Sequence, residues 1–281
     1  MIYISTGLIK KQSALKTCKY FLDHDINDIE LSGGTFEENI IKKIKTLKGT
    51  AKFTLHNYFP PPKNPFTLNL ATLDQNLFNI CYNHIKNTIR YSNEIGSKVY
   101  SFHAGFLIDP KPNELGKKFT KRKINNRNHA LNIFIDRLNN LSIFAKKEGV
   151  SLLIENNVIN KKNLNLFKTN PLLMADTKEA CFIMRNTPNN VNLLVDVAHL
   201  KVSAKSLKFD PNFFFSKCEQ WIQGYHLSDN DGNTDSNGLV SKNSWFWKHL
   251  KKNLNYYTLE IKSLNAQILL KQKKITEQML R

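Results

Sequence analysis

The chain of 281 residues has few cysteines, few acidic side chains and no long hydrophobic segment. No stretch approaches the ~18 consecutive apolar residues of a transmembrane helix, so no membrane span is predicted. The N-terminus lacks a basic start before an apolar core, which indicates a first strand and not a signal peptide. The cysteines are far apart without a CxxC pair, which is typical of buried free thiols in a reducing cytoplasm: Cys18, Cys81, Cys181 and Cys218.

Acidic residues are outnumbered by basic ones, 23 against 41, and the formal net charge is +18. Taken alone, this excess predicts an anionic partner such as nucleic acid, a membrane surface or a phosphorylated substrate. The lysines are spread over the chain together with abundant Asn and Ile, a pattern typical of A/T-rich codons. Solvated background charge is therefore the favoured interpretation, and a binding surface is the alternative.

Short β-rich runs alternate with helical patterns from one end of the chain to the other. The predicted strands cover residues 2–6, 28–31, 52–56, 98–103, 151–155, 191–196, 222–226 and 257–261. The predicted helices cover residues 13–23, 75–95, 127–148, 177–186 and 265–280, and a further helix is expected to start after Thr35. For that helix, Thr35 is the expected N-cap and Glu38 stands in the capping-box position.

Strands separated by helices, several of them continuous apolar runs, predict a parallel sheet covered on both faces. Eight such units in 281 residues match the size of a (β/α)8 barrel. No low-complexity tract or linker divides the chain. We therefore expect an α/β protein with a single (β/α)8 TIM barrel domain over residues 1–281.

Ionisable side chains stand at or near the ends of the predicted strands. They are His56, His103, Glu155, Asp196, His226 and Glu260, and His199 follows three residues after Asp196. Glu30 lies within the second strand. Because the C-terminal strand ends of such a barrel meet at one mouth, these side chains are expected to be neighbours.

A buried carboxylate cluster implies a metal ion. Burying Glu155, Asp196 and Glu260 together without a cation would cost several kcal/mol per ion. Three carboxylates and a histidine form a mostly hard, oxygen-rich ligand set. Such a set favours Mn²⁺ or Mg²⁺ over a structural zinc ion, which prefers Cys and His.

At these positions the sequence resembles the xylose isomerase-like, or endonuclease IV-like, superfamily of (β/α)8 barrels. The resembling segments follow the family's order over nearly the whole chain, at residues 29–34 (IELSGG), 54–62 (TLHNYFPPP), 101–106 (SFHAGF), 152–157 (LLIENN), 193–204 (LLVDVAHLKVSA), 225–232 (YHLSDNDG) and 259–262 (LEIK). Each motif is weak by itself. The combination of D-x-x-H, H-L-S-D and L-E is specific.

The resemblance to the sugar isomerase and epimerase branch implies one divalent metal ion, with Mn²⁺ or Mg²⁺ favoured and Zn²⁺ or Co²⁺ as alternatives. Its implied ligands are Glu155, Asp196, His226 and Glu260. The implied reaction is proton transfer through a metal-stabilised enediolate of a sugar or sugar phosphate, with Glu155 and Glu260 as the catalytic acid/base pair. The residues expected to contact the substrate are His199, His103 and His56.

The alternative is the DNA-repair branch, a zinc-dependent endonuclease acting on abasic DNA. The +18 charge favours it, as do His56 and His103, which correspond to zinc ligands of that branch. The branch also needs a D-x-H after the seventh strand, where this chain has Asp235-Ser236-Asn237. Because an amide is a poor zinc ligand, the single-metal branch fits better. A non-catalytic carbohydrate-binding barrel is a third possibility, disfavoured by the intact Glu155 and Glu260.

Overall fold

The computed structural model describes residues 1–9 and 11–281, and in these residues eight parallel strands close into a barrel. Each strand pairs with the next along the chain, and the first closes against the last with Ile4 opposite Leu259. The strands are β1 (Ile2–Ser5), β2 (Asp28–Leu31), β3 (Lys52–His56), β4 (Val99–His103), β5 (Ser151–Glu155), β6 (Val191–Asp196), β7 (Ile222–Leu227) and β8 (Tyr257–Leu259). The predicted (β/α)8 barrel is confirmed.

Helices connect the strands and pack on the outside of the barrel. They are α1 (Ala14–Leu22), α2 (Ile40–Lys45), α3 (Gln75–Ile95), α4 (Arg127–Lys147), α5 (Lys161–Phe167), α6 (Thr177–Arg185), α7 (Val197–Leu207), α8 (Pro211–Cys218) and α9 (Ala266–Leu280). Ser13, Asp74 and Asn126 cap α1, α3 and α4 by accepting a hydrogen bond from a backbone N–H. The sequence did not predict α5, α7 and α8.

The second helix begins later than the sequence predicts, and the expected capping box is wrong. The backbone N–H of Thr35 donates to the carbonyl oxygen of Gln12 at 3.0 Å, and Thr35 forms an isolated parallel bridge with Ser13. The helix starts at Ile40, after Asn39 in the left-handed conformation with φ 57°. Pairing with the loop that follows β1 therefore overrides the local capping signal.

Successive strand side chains alternate between the barrel interior and the helix layer. The interior holds a separate apolar cluster formed by Leu153, Leu194 and Tyr256. The neighbouring Leu152 and Leu193 belong instead to the main core beneath the helices. Because strand side chains repeat every two residues, Glu155 and Asp196, two positions after the first two cluster members, also face the interior. The barrel interior therefore changes from apolar to acidic at its C-terminal rim.

Gly224 in β7 makes room for this interior cluster. A Cβ atom built at Gly224 would lie 2.6 Å from Cδ1 of Tyr256 and 3.0 Å from Cδ1 of Leu194. A larger residue would therefore collide with the tyrosine ring. The absence of a side chain at this position allows Tyr256 to fill the barrel beneath the rim.

All four cysteines are buried and free, as the sequence predicts. Across the described part of the chain, no helix is both long enough and apolar enough to cross a membrane.

Candidate metal centre

Four potential metal ligands converge at the C-terminal rim of the barrel. Glu155 ends β5, Asp196 ends β6, His226 lies near the end of β7, and Glu260 directly follows β8. Their ligand atoms all lie within 4.8 Å of one another. Three of them are fully buried, and the side chain of Glu260 is 14% exposed. The structure thus brings together the four residues expected to hold the metal, although their role as ligands stays a prediction.

Glu155 lies at the centre of this site, surrounded by four imidazole rings. Its Oε2 atom lies 3.2 Å from Nδ1 of His103 and 3.3 Å from Nε2 of His56. Its Oε1 atom lies 3.3 Å from Nδ1 of His226 and 3.4 Å from Nδ1 of His199. The three histidines expected to contact the substrate therefore all lie against Glu155. His103 is the most exposed of the three, at 25% of its side chain.

Burial and charge act in opposite directions on these groups. Burial alone would raise the pKa of Glu155, but the imidazoles of His103, His226 and His56 hold that pKa well below its usual value. Burial lowers the pKa of His56, and it lowers the pKa of His103 to about 4 against the attraction of Glu155. These directions favour an ionised Glu155 beside His56 and His103 rings whose basicity is reduced by burial.

On the other side of the site, the pKa values of Asp196, His199 and His226 are raised. Burial raises the pKa of Asp196 to about 7, although His199 opposes the rise. Burial would lower the pKa of His199, but Asp196 and Asp235 raise it well above its usual value. Burial would also lower the pKa of His226, but the charges of Glu30 and Glu155, with hydrogen bonds to Glu155 and Glu260, together raise it well above its usual value. A divalent ion has to displace such protons, because it binds the unprotonated ligands.

Several polar atoms at the rim are buried without a hydrogen bond. Within the residues that the structure describes, this holds for both carboxylate oxygens of Glu155, Oδ2 of Asp196 and Nδ1 of His226. Buried polar atoms are normally paired, and each unpaired group costs about 1–3 kcal/mol. A cation among these atoms would satisfy all of them at once. The donor set present here therefore fits a divalent metal ion.

Asp235 reaches the site through His199, with its Oδ2 atom 3.2 Å from Nε2 of the imidazole. In the sequence, Asp235 stands out only as part of a motif that lacks its histidine. In residues 1–9 and 11–281, three clusters could hold an ion: His56–Glu155–His226, His103–Glu155–His199 and Glu155–Asp196–His226–Glu260. Asp235 belongs to none of them.

A hydrogen-bonded network that the sequence does not predict lies behind the rim. Glu30 in β2 is fully buried, and its Oε2 atom accepts hydrogen bonds from His226, Tyr256 and Thr258. Burial would raise the pKa of Glu30, but His226, His56 and the hydrogen bond from Tyr256 together lower it to about 2. The available signal was an acidic residue within a strand that the pattern predicts to be buried.

The protein is a TIM barrel, because its eight parallel strands close into a barrel. Its carboxylates and imidazoles come from several strands and meet at the C-terminal rim, the face where TIM barrels carry their functional groups. More specifically, the chain belongs to the xylose isomerase-like TIM barrel family, whose sequence profile matches residues 23–261. The membership expected from the sequence motifs is confirmed.

Solved structures share this fold over nearly the full length. A D-tagatose 3-epimerase-like protein has a TM-score of 0.70 and 17% identity, with 99% of this chain and 96% of the other covered. The 3-keto-D-glucoside 4-epimerase of E. coli has a TM-score of 0.66 and 13% identity, covering 97% and 98%. The IOLI protein with a bound zinc atom has a TM-score of 0.64 and 14% identity, covering 99% and 97%. No curated protein sequence matches the chain significantly.

Proposed function

We propose that the protein is a divalent-metal-dependent isomerase or epimerase of a sugar or sugar phosphate. The observation that carries the proposal is the convergence of Glu155, Asp196, His226 and Glu260 within 4.8 Å, with buried ligand atoms that lack hydrogen bonds in the described chain. Three carboxylates and one imidazole suit Mn²⁺ or Mg²⁺, with Zn²⁺ or Co²⁺ as alternatives. When bound, such an ion acts as a Lewis acid toward the carbonyl and neighbouring hydroxyl oxygens of a sugar.

Glu155 and Glu260 are the proposed acid/base pair. Both lie within 3.3 Å of Nδ1 of His226, so they approach the same point from β5 and β8. Glu155 is held ionised, which suits removal of a proton from carbon. Glu260 is partly open to the mouth and can return a proton to the same or the adjacent carbon. Return to the same carbon on the opposite face gives an epimer, and return to the adjacent carbon gives an isomer.

The histidines around Glu155 divide by exposure. His103, at 25% exposure of its side chain, is the proposed contact to substrate hydroxyls. His199 donates its backbone N–H to Asp196 at 2.7 Å and presents Nε2 to Asp235. It is proposed to contact the substrate together with that carboxylate. His56 is nearly inaccessible, so its proposed influence on the substrate passes through Glu155.

The similar structures support a sugar as the substrate. One of them is a 3-keto-D-glucoside 4-epimerase, an enzyme for a sugar altered at carbon 4, beside the carbonyl carbon. Another is named for epimerisation of D-tagatose, and a third carries zinc. We also propose that residues 1–281 form a single domain, because one core cluster runs from Ile2 to Leu269. The four free, buried thiols support a cytoplasmic location.

A zinc-dependent endonuclease acting on abasic DNA is the second candidate. The +18 charge favours it, as do the two further clusters around Glu155 that could hold additional ions. Asn237 opposes it, because the nuclease branch needs a histidine at that position to complete its third zinc site.

Elemental analysis and solvent exchange test the proposal together. The purified protein is analysed for metal, stripped with a chelator and reloaded with Mn²⁺, and then incubated in D₂O with a panel of ketoses and ketose phosphates. We expect about one ion per chain and ion-dependent deuterium incorporation beside the sugar carbonyl. About three zinc ions per chain with cleavage of an abasic-site duplex would establish the nuclease instead. The absence of both exchange and cleavage would refute catalysis on these substrates.

A further inference from the structure

Glu30 is the end point of a directed chain of hydrogen bonds in the barrel interior. Its Oε2 atom lies 2.9 Å from Nε2 of His226, 2.5 Å from the Tyr256 hydroxyl and 2.9 Å from Oγ1 of Thr258. A carboxylate only accepts hydrogen bonds, so each of these three groups must direct a proton toward it.

The contact with Glu30 determines which nitrogen of His226 carries a proton. Nε2 is protonated because it donates to the carboxylate. Nδ1 lies 3.3 Å from an oxygen of Glu155 and 3.3 Å from an oxygen of Glu260, which places it at the candidate metal position. In the neutral ring, the lone pair of Nδ1 is therefore free for an ion.

The same chain reaches His56 on the other side of Glu155. The hydroxyl proton of Tyr256 is committed to Glu30, so the tyrosine oxygen must accept from the Ser101 hydroxyl at 2.8 Å. With that proton used, the Ser101 oxygen must accept from Nδ1 of His56 at 2.9 Å. Only this direction provides a proton for every contact. In the neutral ring, Nε2 of His56 is then the unprotonated nitrogen, and it lies 3.3 Å from Oε2 of Glu155.

We propose that Glu30 is a positioning residue that sets the tautomers of both His226 and His56. In the neutral form of each ring, the unprotonated nitrogen is then directed toward Glu155, and that of His226 also toward the candidate metal position. This inference rests on the proposed function for its importance. Partners of this kind orient metal-binding imidazoles, and their loss typically costs about 10- to 100-fold in metal affinity. One buried carboxylate would here orient two imidazoles on opposite sides of a shared ligand.

Nitrogen-15 NMR of the histidine side chains reads the tautomers directly, without substrate or activity. In the wild-type, ion-free protein, we expect His56 to carry its proton on Nδ1, with the signal assigned by comparison with His56→Asn. We expect Nε2 of His226 to be protonated in both the ion-free and the zinc-loaded protein. An unprotonated Nδ1 in His56, or an unprotonated Nε2 in His226, would overturn the inference.

Two variants separate the two branches of the network. Glu30→Gln removes the charge that accepts hydrogen bonds from His226, Tyr256 and Thr258, and it places an amide N–H donor among them. We therefore expect His226 to shift toward the form protonated on Nδ1. The apparent Kd for Mn²⁺ should then weaken about 10- to 100-fold. Tyr256→Phe breaks only the branch to Ser101, so the His56 tautomer should become mixed while His226 keeps its proton on Nε2.

Glu179→Gln is the matched control, because Glu179 is a buried carboxylate paired with Arg127 at 2.5 Å, outside the network. It should lower the unfolding temperature and leave the Kd for Mn²⁺ and both tautomers unchanged. A wild-type Kd in folded Glu30→Gln, with unchanged histidine signals, would refute the role of Glu30. If the wild-type protein bound no divalent ion, the proposed function would fail, while the tautomer measurement would still decide the inference.

Discussion

Replacing Glu155 with Gln changes the side chain that lies against all four imidazole rings of the site. The substitution keeps the shape of the side chain and removes its negative charge. Four imidazole nitrogens lie 3.2–3.4 Å from the carboxylate oxygens, so each of these rings loses one ionised neighbour. The amide also offers only one oxygen where the carboxylate offers two.

The expected effect on turnover follows from the proposed role of Glu155. Loss of a positioned general base typically costs about 10²–10⁴-fold, which corresponds to about 3–5 kcal/mol in the activation barrier. Ion binding should weaken as well, because a charged ligand becomes a neutral one. The fold should persist, since the strands and helices around residue 155 are held by apolar packing that the substitution leaves in place.

Deuterium incorporation beside the sugar carbonyl, followed by NMR at saturating Mn²⁺, measures the loss of turnover separately from the loss of ion. Glu179→Gln serves as the control for removal of a buried carboxylate elsewhere, and its exchange rate should match the wild type. An exchange rate for folded, ion-replete Glu155→Gln within a few-fold of the wild type would refute the assignment of Glu155 as the base.

Three further outcomes are expected. The apparent affinity for Mn²⁺ should increase between about pH 6 and pH 8. Asp196 has a pKa of about 7 and His226 a raised pKa, and both must lose a proton to bind the ion. A Kd from chelator competition that does not change with pH would contradict this. Gly224→Ala should cost about 1–3 kcal/mol in urea unfolding, because its Cβ would meet the ring of Tyr256 at 2.6 Å; unchanged stability would show that the interior can relax. Phe134→Ala, at a fully buried position of α4, should cost about 3–5 kcal/mol while the Kd for Mn²⁺ stays the same; a weaker Kd would show coupling between the helix layer and the rim.

The barrel was predictable because its signals are local and repeated. Continuous apolar strands alternate with amphipathic helices, and a strand with both faces buried cannot avoid such a composition. The polar residues at the strand ends were informative for a related reason: closure of a parallel sheet places all those ends on one rim. Glu155 and Asp196 could therefore be expected to meet, although they are 41 residues apart in the chain.

Local signals failed where distant groups compete for the same atoms. Thr35 carried a good capping motif, but its backbone N–H bonds to the loop after β1, and the helix starts five residues later. The helix α7 was missed because it follows β6 without an intervening loop, so its apolar residues extend the strand pattern.

The linear order of residues determined the architecture, the membership of the family and the identity of the groups at the rim, because periodicity and strand-end position are properties of neighbouring residues. Only the tertiary structure decided how those groups are oriented. Glu30 and Tyr256 are 226 residues apart, and their hydrogen bond forms inside the closed barrel. The direction of each proton along that network depends on all of its members together, and no local stretch of the chain contains them.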